Sequence, residues 1–339
     1  MKRILVVFTG GTIGSASQGG VLDVDARRAD ELIARYWQEA GGRDVEFSVL
    51  RPMAMLSENA TPERWRQLLA ALDGVGITQY EGVIITHGSD TLAYTAALLG
   101  YAYGAAGVPL VLTASGAPLS DPRSNGVRNF AAAVALIRNE GLPGVFAVYE
   151  NSRGVMEVYL ATRLQEADLY ANDFCGFGGG PLGTMENGRL VLLERKGNPA
   201  RHELLMPPVP APVPRDFPNE VLGVTPHPGL DYTLFDLGRR PVKAVLHRLY
   251  HSSTACAEGG RYALPEFIRA CRERGVEVYL QSVKDGEPYA TTRALLEAGG
   301  VPLPLMSFEA AYVKLWLAVN QSGMPAREFM LRPLYFEFA

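Results

Sequence analysis

A loop near the start of the chain carries side chains that could attack a carbonyl carbon. Residues 9–14 read Thr-Gly-Gly-Thr-Ile-Gly and directly follow an apolar run over residues 4–8. The glycines let the backbone turn sharply and approach a ligand closely, while Thr9 and Thr12 supply hydroxyl groups. Thr12 is a candidate nucleophile, because a threonine hydroxyl attacks a carbonyl once a neighbouring base takes its proton. The same residues also fit a strand followed by a tight turn in which the threonines cap the backbone.

The glycine spacing of this loop disfavours a dinucleotide-binding site. A dinucleotide fingerprint reads Gly-x-Gly-x-x-Gly and opens a helix. Here the order is Gly-Gly-x-x-Gly, and no helical pattern begins directly after Gly14. A nucleotide-dependent reductase therefore fits the loop poorly.

A second loop places a hydroxyl and a carboxylate before a predicted helix. His87, Ser89 and Asp90 lie in a His-Gly-Ser-Asp-Thr run that follows the apolar residues 83–86. Ser89 or Asp90 is predicted to be the N-cap of a helix that begins at Leu92. A helix N-terminus also attracts a carboxylate, so this loop could hold part of a substrate.

A third loop, residues 55–59, contains Ser57 and Glu58 and lies between a predicted strand and a predicted helix. The helix begins with Thr61 as its cap and Pro62 at its first position. Ser57 and Glu58 are thus further candidates for contact with a polar ligand.

Alternating strands and helices place these loops at one edge of a sheet. Apolar runs predict strands, and amphipathic stretches between them predict helices on both faces of a mostly parallel sheet. Ligands of such sheets bind outside the carboxyl ends of the strands. The predicted strands cover residues 4–8, 45–50, 83–86, 108–113 and 145–149, with flanking β elements at 155–161 and 189–193, and the helices cover 26–40, 62–72, 92–101 and 124–139.

A proline-rich stretch predicts two domains. Residues 207–218 contain six prolines, which form a stiff connection that cannot enter a sheet interior. We therefore predict a larger N-terminal α/β domain over residues 1–206, a linker over 207–219 and a smaller C-terminal α/β domain over 220–339.

The composition indicates an ordinary soluble protein that acts on small molecules. The 339 residues are 47% hydrophobic and 20% charged, with a net charge of -4. This charge, without a long basic run, argues against a nucleic-acid partner, and no apolar window is long enough for a membrane span. Three cysteines without a Cys-x-x-Cys pair suggest neither a disulfide framework nor a zinc site, so a cytoplasmic location is expected.

Taken together, the loops at residues 9–14 and 87–91 resemble the two active-site signatures of bacterial-type L-asparaginases and glutaminase-asparaginases. The resemblance covers nearly the whole chain and is closer to the cytoplasmic type I branch. Further segments look like family landmarks in their usual order: Arg123-Ser124-Asn125-Gly126, Gly180-Pro181-Leu182, Pro228-Gly229, residues 240–244 and Tyr289-Ala290-Thr291.

The resemblance implies hydrolysis of the side-chain amide of L-asparagine to L-aspartate and ammonia, without a metal or a cofactor. Thr12 would be the nucleophile that forms an acyl-enzyme. Ser89 would deliver the attacking water or stabilise the oxyanion, and Asp90 would hold the α-amino group of the substrate. Ser57 and Glu58 would hold its α-carboxylate and α-amino groups.

The resemblance also implies a homodimer or a homotetramer. In such relatives a polar residue from the second domain of a neighbouring subunit closes the active site. Thr254, in a polar run after a predicted strand, is the candidate for this role, and a solvated loop is the alternative.

Three positions depart from the family pattern. Ser89 replaces the usual threonine, and Val21 lies where the mobile loop usually has a tyrosine. Counting back from Phe174 puts the position of the family's catalytic lysine on Gln165, whose amide cannot act as a base. Glu166 could act as one if the segment is shifted by a residue. The alternative to an asparaginase of weakened activity is a catalytically impaired amino-acid binder or a hydrolase of a different amide.

Overall fold

In a computed structural model, the chain forms two compact units. The first comprises Met1–Ala211 with Leu334–Phe336, and the second comprises Pro212–Pro333 with Glu337–Ala339. The structure describes residues 2–11, 15–18, 21–24, 28–39, 44–206, 212–238, 242–281 and 283–339. Of these, residues 2, 15–18, 21–24 and 28–29 are described by their backbone alone. Thr12, the predicted nucleophile, lies outside these residues, as do residues 207–211 of the predicted linker.

The first unit is built on an eight-stranded, mostly parallel sheet. Its strands are β1 (Lys2–Phe8), β4 (Val45–Leu50), β5 (Gly82–Thr86), β6 (Pro109–Thr113), β7 (Gly144–Glu150), β8 (Met156–Leu160), β11 (Gly183–Glu186) and β12 (Arg189–Leu192). Their order across the sheet is β12-β11-β8-β7-β6-β5-β1-β4. The run from β4 to β7 is parallel, and β8, β11 and β12 add antiparallel pairings at one side. This confirms the predicted mostly parallel sheet.

The central strands are apolar because both faces of the sheet are covered. Every residue of β5 and β6 is buried, as expected for parallel strands between two layers of helices. The helices of this unit are α1 (Arg28–Glu39), α2 (Pro62–Val75), α3 (Leu92–Tyr103), α4 (Gly126–Glu140) and α5 (Arg201–Leu205). Thr61 caps α2 as predicted, since its hydroxyl accepts a hydrogen bond from the Arg64 amide, and Pro62 begins the helix.

Two short hairpins outside the main sheet were not predicted from the sequence. One pairs β2 (Ser15–Gln18) with β3 (Val21–Val24), so Val21 begins a strand. The other pairs β9 (Leu164–Gln165) with β10 (Cys175–Gly176). Neither hairpin has the long apolar alternation that identifies a strand from sequence.

The second unit contains a four-stranded parallel sheet. Its strands are β13 (Glu220–Val224), β14 (Val242–Arg248), β15 (Glu277–Gln281) and β16 (Val301–Pro302), and its helices are α6 (Leu264–Glu273), α7 (Ala290–Glu297), α8 (Phe308–Asn320) and α9 (Ala326–Leu331). The strands pair in their chain order, β13-β14-β15-β16. Within this unit the Asn219 amide donates to the Asn320 side chain at 2.8 Å, so the last residue of the predicted linker is held against α8.

Across the described part of the chain, no helix combines the length and apolar character that crossing a membrane requires.

Candidate active site

Three loops of the first unit converge at the carboxyl ends of β1 and β5. A Cβ atom on Gly11 would lie 2.6 Å from the carbonyl carbon of His87, so the loop after β1 touches the loop after β5. A Cβ atom on Gly88 would lie 2.6 Å from Cβ of Ser57 and 3.2 Å from Cα of Gly11. Such distances are shorter than real side chains tolerate, so only glycine permits this close approach.

The loop after β1 is held by backbone hydrogen bonds to the third loop. The Gly11 amide donates to the Met55 carbonyl at 3.0 Å, and the Met55 amide donates to the Thr9 carbonyl at 3.0 Å. The Thr9 hydroxyl is buried and donates to the Thr86 carbonyl at 2.9 Å. Thr9 therefore has a structural role, and Thr12, outside the described residues, stays the predicted nucleophile of this loop.

Ser57 and Asp90, which the sequence placed in separate loops, are in direct contact. The buried Ser57 hydroxyl donates to Oδ2 of Asp90 at 3.2 Å. The Thr91 hydroxyl donates to the Ser57 carbonyl at 2.7 Å, which ties the same two loops together. Asp90 itself is exposed and Ser89 is half-buried, so both remain accessible to a ligand.

The N-cap of α3 differs from the prediction. Thr91, not Ser89 or Asp90, occupies this position, and no side chain caps the helix. The reason is that the Thr91 hydroxyl and the Asp90 carboxylate are both engaged by Ser57 across the loop. The first turn is closed by the Leu92 amide, which donates to the Ser89 carbonyl at 3.4 Å.

His87 is a buried structural residue. Burial lowers the pKa of the His87 imidazole, so the ring is neutral. A neutral ring has one donor nitrogen and one acceptor nitrogen. Nδ1 lies 2.9 Å from the Gly88 carbonyl oxygen and must donate to it. Nε2, 3.1 Å from the Thr95 hydroxyl, then accepts a hydrogen bond. The ring thereby fixes the backbone at Gly88, where the loops meet.

Glu58 lies beside these groups on a single 3₁₀ turn, Ser57–Asn59. Its side chain is exposed, whereas that of Ser57 points inward and is buried. The turn therefore presents a carboxylate to solvent next to the hydroxyl that holds Asp90.

A fourth segment, which follows β9, contacts the first turn of α3. Glu166, the residue after β9, accepts a hydrogen bond from the hydroxyl of Tyr94 in the first turn of α3 at 2.8 Å. The backbone of Gln165 pairs with Cys175 in the hairpin, and its side chain is half-buried. Tyr94 was missed from the sequence, although it lies only four residues after Asp90, in the first turn of the helix that follows.

Thr254 lies in the second unit, in a turn that follows β14. The Tyr250 amide donates to the Thr254 carbonyl at 2.9 Å, and Ser253 has a positive φ of 60°. The Thr254 side chain is half-buried. Its expected role depends on a neighbouring subunit and stays a prediction.

The arrangement suits acyl transfer to a hydroxyl nucleophile. The convergent groups are hydroxyls and carboxylates at the open edge of a rigid sheet, and two of the loops approach as closely as glycine allows. Carboxylates at this edge can hold a cationic amino group, and hydroxyls and backbone amides can stabilise developing negative charge.

Comparison with known proteins identifies the family. The family described as Asparaginase, N-terminal, matches residues 3–197, more than half of the chain. The L-asparaginase of Thermococcus kodakarensis is 28% identical over 331 residues, covering 94% of this chain and 93% of that protein. L-asparaginase 1 of Escherichia coli K12 is 28% identical over 330 residues, covering 94% and 92%.

The fold agrees with the sequence matches. The solved structure of the thermostable L-asparaginase from Thermococcus kodakarensis superposes with a TM-score of 0.78 at 24% identity and covers 99% of both chains. The crystal structure of L-asparaginase I from Vibrio cholerae superposes with a TM-score of 0.77 at 24% identity and covers 100% of this chain and 99% of the other. The chain therefore belongs to the asparaginase family and is an asparaginase-type amidohydrolase.

Proposed function

We propose that this enzyme hydrolyses the side-chain amide of L-asparagine to L-aspartate and ammonia through an acyl-enzyme on Thr12. The observation that carries the proposal is the close approach of Gly11, the residue before Thr12, to the backbone at His87 and Gly88. Because Thr12 follows Gly11 and Ser89 and Asp90 follow Gly88 in the chain, this approach supports a site that they share.

Each side chain of the site has a proposed role. Thr12 attacks the amide carbon, and the Ser89 hydroxyl delivers the water that later cleaves the ester or stabilises the oxyanion. Asp90, held by Ser57, and the exposed Glu58 bind the α-amino group of the substrate. Ser57 also contacts the α-carboxylate. Carboxylates on an ammonium group form strong, charge-assisted hydrogen bonds, which supports this orientation of the substrate.

The setting of the enzyme is part of the proposal. We place it in the cytoplasm, since its three cysteines are all free thiols. We also propose a homodimer or homotetramer in which Thr254 of one subunit closes the site of another. The turn that presents Thr254 at the end of β14 supports this role.

Ammonia release from L-asparagine tests the proposed function. The wild-type protein is expected to release ammonia, Thr12→Ser to retain part of that activity, and Thr12→Ala to fall to background, because only the first two have a hydroxyl nucleophile. L-glutamine and other amides are tested in parallel to identify the preferred substrate.

The same measurement distinguishes the proposed function from the alternative. Replacement of the usual threonine by Ser89 and the position of Gln165 favour an amino-acid binder without turnover as the second candidate. Equal inertness of wild type and Thr12→Ala, together with a higher melting temperature in L-asparagine, would establish the binder.

A further inference from the structure

A segment of the first unit runs along α3 toward the end that carries the substrate-binding pair. In the last turn of α3, a Cβ atom on Gly100 would lie 2.9 Å from Cγ2 of Thr162. In the first turn, Tyr94 contacts Glu166. The segment therefore moves from Gly100 back to Tyr94, about 9 Å along the helix axis. Glu166 thereby lies against the first turn of α3, the helix that follows Ser89 and Asp90 in the chain.

The backbone before Glu166 is anchored on both sides. The Thr162 hydroxyl donates to the Tyr335 carbonyl at 2.5 Å. The buried Arg163 guanidinium donates to the Phe336 carbonyl at 2.5 Å and to the Gly197 carbonyl at 2.6 Å. The Arg163 carbonyl accepts from the Phe177 amide at 2.8 Å. Glu166 thus extends from a fixed strand end, which suits a group that must act at a defined position.

The other ionisable groups of the described site are poorly suited to accept a proton from Thr12. His87 is fully buried, and both of its ring nitrogens are hydrogen-bonded to residues that shape the loop. Asp90, oriented by Ser57, and the exposed Glu58 are both assigned to the α-amino group of the substrate. Arg163 stays protonated at any working pH. Of the groups considered, this leaves Glu166, whose exposed carboxylate lies at the N-terminal turn of α3.

We propose that Glu166 is the proton acceptor of this enzyme and that Tyr94 is the positioning residue that holds it in place. The inference rests on the proposed function. As Thr12 Oγ bonds to the amide carbon, its proton passes to the Glu166 carboxylate and the C=O electron pair moves to oxygen. When the C=O bond re-forms, the C–N bond breaks and the nitrogen takes the proton from Glu166 and leaves as ammonia.

The second half of the reaction uses the same group in reverse. Water attacks the ester carbon and gives a proton to the Glu166 carboxylate. The bond from carbon to Thr12 Oγ then breaks, and the threonine oxygen takes that proton back. Free aspartate leaves, and Glu166 ends each turnover ionised, so the enzyme needs no additional reactant. The Tyr94 hydroxyl, donating at 2.8 Å, fixes the carboxylate throughout.

Steady-state kinetics of ammonia release from L-asparagine test this role. Glu166→Gln is expected to lower kcat by about 10²- to 10⁴-fold, the usual loss when a proton-transfer group is removed, with KM within a few-fold of wild type. Glu166→Asp should recover part of the loss, because it restores a carboxylate. Tyr94→Phe should lower kcat by a smaller factor than Glu166→Gln.

A matched control is available in the same unit. Glu157 also accepts a hydrogen bond from a tyrosine, Tyr159, at 2.6 Å, but it lies on β8, which β7 and β6 separate from β5 in the sheet. Glu157→Gln should leave kcat unchanged. A melting temperature for each variant checks that the fold is intact.

The possible failures are distinguishable. Turnover that requires Thr12 but survives Glu166→Gln within a few-fold would overturn the assignment of Glu166 and leave the proposed function standing. Equal losses in Glu166→Gln and Glu157→Gln would also overturn it, since they would indicate a structural effect. A wild-type protein that releases no ammonia from any amide would overturn both proposals.

Discussion

Of the two threonines in the loop after β1, the structure describes the contacts of Thr9. The hydroxyl of Thr9 is buried and donates to the Thr86 carbonyl, so it joins the ends of two neighbouring strands. Thr12 follows Gly11, which the fold brings against the His87–Gly88 backbone. The contacts of Thr9 thus give it a structural role, and Thr12 stays the predicted nucleophile of this loop.

At the residue scale, Ser57→Ala should weaken substrate binding. The mutation removes the Ser57 hydroxyl, which donates to Oδ2 of Asp90 at 3.2 Å and orients that carboxylate. A hydrogen bond to a charged group contributes about 1.5–3 kcal/mol, so KM for L-asparagine should rise roughly tenfold or more, with a smaller effect on kcat. Steady-state kinetics measure both parameters.

Ser152→Ala is the control for this prediction. Ser152 also donates to an aspartate, Asp173, at 2.7 Å, but it lies outside the three loops. Its removal should leave KM unchanged. An unchanged KM in Ser57→Ala would show that Asp90 is held by other groups or does not bind the substrate.

Some of the site could be predicted from residue order alone. Ser57 and Asp90 were expected at one sheet edge because both loops connect strands and helices of a parallel sheet, and the structure puts them in contact. The contact between Tyr94 and Glu166 could not be predicted. It depends on the register of β9, and a shift of one residue would present Gln165 in place of Glu166.

At the element scale, the site depends on the contact between the loops after β1 and β5. Gly11 and Gly107 have similar backbone conformations, with φ of 79° and 76°, but a Cβ atom on Gly107 would meet no atom within 4 Å. The two glycines therefore separate the cost of a positive φ from the cost of a close approach.

Gly11→Ala should separate the two loops. We expect it to destabilise the protein by about 2–5 kcal/mol and to lower kcat/KM by at least tenfold, because the cost of the positive φ is added to the collision of the new methyl group with the backbone at His87. Gly107→Ala should cost about 1–2 kcal/mol and leave kcat/KM unchanged. Urea unfolding and ammonia release measure these effects. Equal kcat/KM values in the two variants would contradict the loop contact.

The long elements followed from periodicity, whereas the short ones did not. The start of α2 was predicted correctly from Thr61 and Pro62, since capping is a local property. The strands β9 and β16 each have two residues, and their identity depends on the partner strand rather than on their own sequence. Short pairings of this kind have no periodic signal to detect.

At the scale of the whole molecule, the chain returns to its first unit near the C-terminus. The Tyr335 hydroxyl accepts from the Val145 amide at 2.6 Å and donates to its carbonyl at 3.1 Å. The predicted boundaries treated residues 220–339 as one domain, but Leu334–Phe336 belong to the first unit. No local pattern in the sequence could indicate a contact across 190 positions.

The second unit should lose stability on acidification because of His247. Its side chain is fully buried, Nε2 lies 2.8 Å from the Tyr232 hydroxyl, and burial lowers its pKa to about 4. In the unfolded chain the pKa of this histidine is near 6.5, so below that pH the unfolded state binds more protons than the folded state. The contribution of neutral His247 to the free energy of unfolding is complete above pH 6.5. It is lost as the pH falls toward 4, and the total loss is about 3 kcal/mol.

Urea unfolding between pH 7.5 and pH 4.5 measures this loss. His247→Gln should unfold with a shallower dependence on pH than wild type, since glutamine does not titrate. His202→Gln, an exchange at an exposed histidine of α5, should retain the wild-type dependence. The same slope in His247→Gln and wild type would show that His247 is not the group responsible.

The acyl-enzyme on Thr12 is tested most directly by following wild type and Thr12→Ala on L-asparagine and trapping the intermediate by acid quench. Wild type should form an aspartyl ester on the peptide that contains Thr12 as fast as it releases ammonia, and Thr12→Ala should give neither ester nor ammonia. Ammonia release by Thr12→Ala at the wild-type rate, or an ester on a different residue, would contradict an acyl-enzyme on Thr12.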